Sequence, residues 1–305
     1  MTQKHENIIN FFNSVPGWIL SHLIAVLLTL CGVWLFQNRT LNYSKTIPLT
    51  PDPINLERYN KEQPIIYSAN TVEAEKKLAI EQFSKNDIQA GKKAIESLLN
   101  RGAFLEVKEV LKIVKNLANN NKFMDPEIDF LYGRLIWELA QDGNRNYTVD
   151  EALFFWEKAV SQNPDYVLYQ NAIGFAYYTK GDLKKAYDTW FKVLKLSGET
   201  LPETETLQNI STQDITAPVV EQKDALSAYA GIGLVMMRSA QTSRGNEQRE
   251  RWLRALQYRT KVMDEAAREY HIPQLRQNWL WSRVALRDWD FLMRTDWNIL
   301  RKKNN

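Results

Sequence analysis

Catalysis needs a nucleophile, an acid–base pair or a bound metal, and the residue types for each are scarce in this chain. Its three histidines, His5, His22 and His271, lie far apart, and none has the spacing of a metal site. The one cysteine, Cys31, sits inside an apolar run where no base can pair with it, so it is not read as a nucleophile. Gly231-Ile232-Gly233 begins like a dinucleotide loop, but Met236 stands where the third glycine belongs, and no phosphate loop or G-x-S-x-G occurs. These glycines are better read as the small positions of a packed helix. Acid pairs such as Glu203 and Glu205 fall in a linker-like stretch. No enzyme activity, cofactor or metal is therefore expected. Arg251, Arg254, Tyr258 and Lys261 fall near helical spacing, and the tail reads "RKKNN". Glu247, Glu250, Asp264 and Glu265 interleave with them, which favours a solvated face over nucleic-acid binding and leaves lipid headgroups as a further reading.

The 305 residues are 44% hydrophobic and 25% charged, with 39 basic and 36 acidic side chains, a balance without the strong basic excess that binds nucleic acid. With only 12 Gly and 10 Pro the chain suits long helices.

From Trp18 to Phe36 the sequence "WILSHLIAVLLTLCGVWLF" runs 19 residues without a formal charge. As a helix this covers roughly 28 Å, close to the hydrocarbon thickness of a bilayer. Trp18, Trp34 and Phe36 lie near its ends, where such rings favour the interface. A cleaved leader would want a basic start and a small-residue cleavage site, and "FQNRTLNYS" has no such site. A lipoprotein signal would want Gly, Ala or Ser where Leu30 precedes Cys31. A single uncleaved transmembrane helix is expected at 17–37, after an N-terminal segment 1–16. Lys4 precedes it, whereas Arg39, Lys45, Arg58 and Lys61 follow, which places the C-terminal part on the cytoplasmic or stromal side of a single-pass membrane protein.

Residues 38–68 carry Pro48, Pro51, Pro53 and Pro64 and read as an extended tether. The remainder, 69–305, reads as an all-α domain. Helices are expected at 69–84, 125–141, 149–162, 165–180, 182–196, 222–241, 246–270 and 273–298, with a hairpin over 87–120. In "FLEVKEVLKIVKNL" the residues Phe104, Val107, Leu111, Val114 and Leu117 share one helical face. Between Ser197 and Gln222 lie five acids, no Lys or Arg and two prolines, an acidic insertion read either as solvated or as a docking loop.

Two helices echo each other. Ala152 and Ala186 are 34 residues apart, as are Trp156 and Trp190. Gly174, Tyr177, Gly181, Ala186 and Trp190 over 167–200, with Gly133, Ala152, Trp156, Ala159 and Pro164 over 127–164, make the chain resemble the tetratricopeptide-repeat family. The turn of the earlier unit is expanded, with "GNRNYT" as its inserted loop. Degenerate units are drawn over 87–120 and over 225–267, the latter through Gly233, Ala255 and Val262 with a longer turn still. The resemblance implies an α-solenoid of helical hairpins that bury their faces by stacking. It puts Trp156 and Trp190 in a packing position of the second helix. The tail at 272–298, with Trp279, Trp281, Trp289 and Trp297, reads as one helix. It either caps the end of the solenoid or presents a tryptophan-rich docking surface.

The resemblance also implies a concave groove lined by the first helix of each unit. Carried over, its partner-binding residues are Phe130, Arg134, Trp137 and Glu138, then Asn171, Phe175 and Tyr178, with Leu234, Met237 and Arg238 from the third unit. They do not reproduce the family's clamp for an acidic carboxylate, so an apolar or amphipathic protein segment is the expected ligand. One anchor with a few divergent repeats is similar to proteins that assist photosystem assembly and repair in thylakoid membranes. The expected function is a membrane-tethered scaffold for subunits or assembly intermediates of a membrane complex, with protein partners, no nucleic acid and no small-molecule substrate. A periplasmic or lumenal protein of envelope biogenesis or secretion is the alternative.

Overall fold

The computed structural model describes residues 69–121, 125–199 and 222–295, all within one unit, Leu49–Asn305. The expected anchor at 17–37, the tether at 38–68 and most of the acidic insertion lie outside the described residues. Among those described, no helix is long and apolar enough to cross a membrane.

Eleven helices and no strand make up the described residues. They are α1 (Ala69–Ser84), α2 (Ile88–Asn100), α3 (Phe104–Asn121), α4 (Pro126–Gln141), α5 (Val149–Gln162) and α6 (Val167–Lys180). They continue with α7 (Leu183–Leu196), α8 (Gln222–Thr242), α9 (Gly245–Ala266), α10 (Ile272–Gln277) and α11 (Arg283–Arg294). Helices α1/α2, α4/α5, α6/α7 and α8/α9 form hairpins; α2 pairs chiefly with α1 and only slightly with α3, α3 packs on α4, and α5 and α7 each pack on the first helix of the next hairpin. Helix α1 covers α2 and α3 at the N-terminal end. The arrangement is solenoid-like.

The boundaries follow from capping. Asp87 accepts from the Ala90 N–H at the start of α2, and Asp182 accepts from Lys185 N–H at the start of α7. Thr148 and Glu151 form a reciprocal capping box on α5. Helix α6 ends at Gly181, whose φ of 84° is a left-handed conformation that costs glycine little. The inserted loop ahead of α5 folds back on α3, where Lys108 Nζ donates to the Tyr147 hydroxyl at 3.0 Å.

The hairpins close on indoles. A Cβ at Gly133 would stand 2.4 Å from Trp156, and one at Gly174 would stand 2.5 Å from Trp190. Gly231 of α8 approaches the other side of Trp190 as closely, at 2.4 Å. Both tryptophans are fully buried, as their echoed position implies. In the first hairpins Phe83, Ile95, Leu98, Val107, Leu111 and Val114 form one core that α4 joins through Leu131 and Leu135.

Two elements differ from expectation. The extra residues of the unit at 225–267 do not enlarge its turn. They lengthen its helices to 21 and 22 residues, against 14 in α6 and α7. The tail is two helices, α10 and α11, separated by a non-helical stretch at 278–282. Asn278 is extended (φ −83°, ψ 111°) and its side chain accepts from Leu280 N–H, while Ser282 caps α11 by accepting from Ala285 N–H.

Candidate functional site

Helix α11 packs on α6, α8 and α9, so the chain beyond α9 returns across the inner helices of the stack. This return decides the state of the expected groove. All seven of its expected residues (Phe130, Arg134, Trp137, Glu138, Asn171, Phe175 and Tyr178) are buried, as are Leu234 and Met237. Five of the seven (Phe130, Arg134, Trp137, Phe175 and Tyr178) meet one occupant, the segment 278–294 of the same chain; Glu138 pairs with Arg134, and Asn171 faces α8 instead.

At the α4 end the occupant is Trp279. The Trp137 indole N–H donates to the Trp279 carbonyl at 2.8 Å. The Trp279 ring lies 4.6 Å from the Arg134 guanidinium and 5.8 Å, edge-on, from Phe130. Arg134 is held in turn by Glu138 Oε1 at 2.8 Å and Asn100 Oδ1 at 2.6 Å. On α6 the Phe175 ring stands 5.0 Å from Trp281 and 5.1 Å from Trp190, and the hydroxyls of Thr179 and Ser282 are 2.8 Å apart. Asn171 is the exception, since its side-chain amide donates to the Asp224 carbonyl at 3.0 Å and so ties α6 to α8.

The polar centre is Asp288, which is fully buried on α11. Its Oδ2 accepts from the Tyr178 hydroxyl and from Arg238 Nε, each at 2.6 Å, and its Oδ1 accepts from Arg287 Nε at 2.8 Å. A buried carboxylate is tolerated only when charge and hydrogen bonds compensate its lost hydration, and three donors do so here. The Arg238 guanidinium also stacks 4.6 Å from the Tyr178 ring, so three helices meet at one carboxylate. Beyond it, Trp289 donates to the Tyr270 carbonyl at 3.0 Å. Arg259 donates to the carbonyls of Leu292 and Thr295 at 2.9 and 2.7 Å, at the α11 C-terminus where a cation is favoured.

Magnitudes decide what kind of contact this is. Trp281, Leu286, Trp289 and Leu292 are fully buried. At about 1.5–3 kcal/mol for each large apolar side chain, these four contribute roughly 10 kcal/mol, comparable to the net stability of a whole domain. The segment 281–295 is part of the core and not a loosely docked tail.

Burial pushes the Tyr178 phenol well above its ordinary range, with the Asp288 charge adding and Arg238 opposing. Burial also raises Tyr169, Tyr177, Tyr229 and Tyr270. A phenol with a raised folded-state value holds its proton more tightly in the fold than in the unfolded chain. The resulting stabilisation is fully present below the unfolded value of about 10 and is lost as pH rises from there towards the folded values. These tyrosines are therefore expected to ionise abruptly above about pH 10, together with loss of helical circular dichroism. Smooth ionisation near the ordinary value with helicity retained would contradict their burial.

Nothing in this arrangement poises a nucleophile against a base, and Asp288 at its centre is saturated by donors. Among the described residues no group of three His, Cys, Asp or Glu is placed to hold a metal. The chemistry on offer is recognition through aromatic faces, indole donors and paired charges. Trp279, Thr179, Ser282 and Asp288 are not singled out by the repeat resemblance. A usable signal exists in Asp288, an acid beside Trp289 on a helix whose other Trp and Leu positions form an apolar stripe.

No protein-family model matches the chain, and no curated protein matches it in sequence. Residue identity and geometry therefore carry the functional reading alone.

Proposed function

We propose that this chain is a non-enzymatic scaffold of tetratricopeptide type, tethered to a membrane by its N-terminal apolar segment. It holds subunits or assembly intermediates of a membrane protein complex on the cytoplasmic or stromal side, and the photosystems of thylakoid membranes are the case it resembles. The observation that supports this reading is the repeated packing unit, Trp156 on Gly133 and Trp190 on Gly174, within hairpins that stack in chain order. Such stacks present long faces suited to extended partners. The aromatic and indole-donor character of the inner face suits an apolar or amphipathic protein segment.

Affinity purification of the full chain from detergent-solubilised membranes, read by mass spectrometry, tests the proposal. Subunits of one membrane complex are the expected result, and recovery of soluble metabolic enzymes alone would contradict it. A reporter fused after Asn305 is expected to stay untranslocated. A translocated reporter would overturn the orientation and favour a role in envelope biogenesis or secretion.

A further inference from the structure

The occupant of the inner face is not uniform. Trp281, Ser282, Asp288 and Trp289 are fully buried, whereas Trp279 is only partly buried and lies in the non-helical stretch 278–282. Trp279 touches α4 in the way a bound peptide would. Its carbonyl takes the Trp137 indole N–H, and its ring fills a slot between Arg134, Phe130 and Trp156, whose ring centroid is 6.2 Å away. None of these contacts involves α11, which is anchored independently through Asp288, Trp289 and Arg259. At the rim stands Tyr166, one of the few large apolar side chains left exposed among the described residues, packed edge-on at 4.5 Å against Tyr169, which itself stacks at 4.4 Å on Phe130.

We propose that Trp279 is a ligand in cis for a receptor slot on α4. A partner segment enters by supplying an aromatic side chain and an adjacent main-chain carbonyl in its place. The inference rests on the reading of the chain as a protein-binding scaffold and names the site and chemistry of that binding. Opening requires only Asn278 and Trp279, the partly buried start of the 278–282 stretch, to lift, because Leu280, Trp281, Ser282 and α11 remain seated. The cis occupant sets the affinity of any partner, since the slot is available only in the fraction of molecules whose Trp279 has left it. An aromatic segment from outside therefore competes with one already present at high effective concentration.

The test uses the full chain in detergent micelles and a fluorescent peptide copying its own residues 276–284, RQNWLWSRV. A Trp279→Ala chain is expected to bind this peptide at least about 10-fold more tightly than the unmodified chain, because the cis competitor is gone. The same peptide with alanine in place of its first tryptophan is expected not to bind. Equal binding by both chains, or no dependence on that tryptophan, overturns the proposal. Hydrogen exchange on the unmodified chain supplies an arm that needs no substitution. Amides of residues 279–281 are expected to exchange at least about 10-fold faster than those of 285–292, and equally slow exchange in both overturns it. Peptide binding alongside an affinity purification that recovers no membrane partner would sink the scaffold's assigned role while leaving the slot intact. Partner recovery with no peptide binding would leave the role intact and remove the slot.

Discussion

Replacing Asp288 with alanine is expected to lower stability by about 3–5 kcal/mol, the cost of removing one partner from a buried ion pair. For a domain of this size that is a fall of roughly 10 °C or more in the thermal midpoint. The magnitude follows from what remains behind. Arg238, Arg287 and the Tyr178 hydroxyl all donate to this carboxylate, and Asp288 is fully buried, so none of the three regains a protein acceptor of equal charge. Asp288→Asn keeps the shape and one acceptor oxygen and is expected to cost less. A change within about 0.5 kcal/mol for Asp288→Ala, the range of an ordinary surface substitution, would show that the carboxylate is not buried between α6 and α8.

Trp190→Ala is the second large effect, at about 3–5 kcal/mol, because deleting a buried indole leaves a cavity that the surroundings fill only in part. The site has little room to collapse. Gly174 and Gly231 press on the indole from two different helices, and Phe175 meets it edge-on at 5.1 Å. The same geometry predicts that Gly174→Val is severely destabilising, since the indole has a second wall behind it and cannot retreat. Gly174→Ala adds less bulk but still loses. Its gain in helix propensity, about 1 kcal/mol, is smaller than the overpacking cost of up to about 3 kcal/mol. The echoed tryptophans differ in one respect that a phenylalanine scan can read. The Trp156 indole N–H donates to the Phe130 carbonyl at 3.1 Å, whereas the Trp190 indole N–H has no acceptor among the described residues. Trp190→Phe removes an unpaired buried donor and is expected to cost less than Trp156→Phe. The reverse order in urea-unfolding midpoints would contradict the packing described for the two hairpins.

Much of this was legible from local signals. The helix starts expected at 149 and 182 lie within a residue of the observed Val149 and Leu183, where Thr148 and Asp182 cap, because a cap is a property of a few neighbouring residues. The 34-residue echo of Ala152/Ala186 and Trp156/Trp190 marked the packing of helix on helix within each hairpin, because a repeated unit repeats its own packing demands. The fate of the inner face was not legible. Phe130, Arg134, Trp137, Phe175 and Tyr178 lie on α4 and α6 and face one segment of the chain, but the repeat resemblance is silent on what fills the space before them. Their partners lie far along the chain, 142 residues away for Trp137 and Trp279 and 110 for Tyr178 and Asp288. Periodicity carries no information at that range. The break at 278–282 was hidden for a related reason. Trp279 and Trp281 fit a helix as well as they fit a turn, and the contacts of Trp279 with α4 favour the turn.

Residues 278–294 occupy the inner face of the hairpin stack. The most direct measurement is a cross-link between Thr179 and Ser282, whose hydroxyls are 2.8 Å apart although 103 residues separate them in the chain. In a chain carrying Cys31→Ser, Thr179→Cys and Ser282→Cys, mild oxidation is expected to form an intramolecular disulfide in nearly every folded molecule, because only side chains held this close satisfy disulfide geometry. Peptide mapping would show residues 179 and 282 joined. Two free thiols persisting after oxidation, in a chain whose helical content and unfolding midpoint are unchanged, would contradict the account.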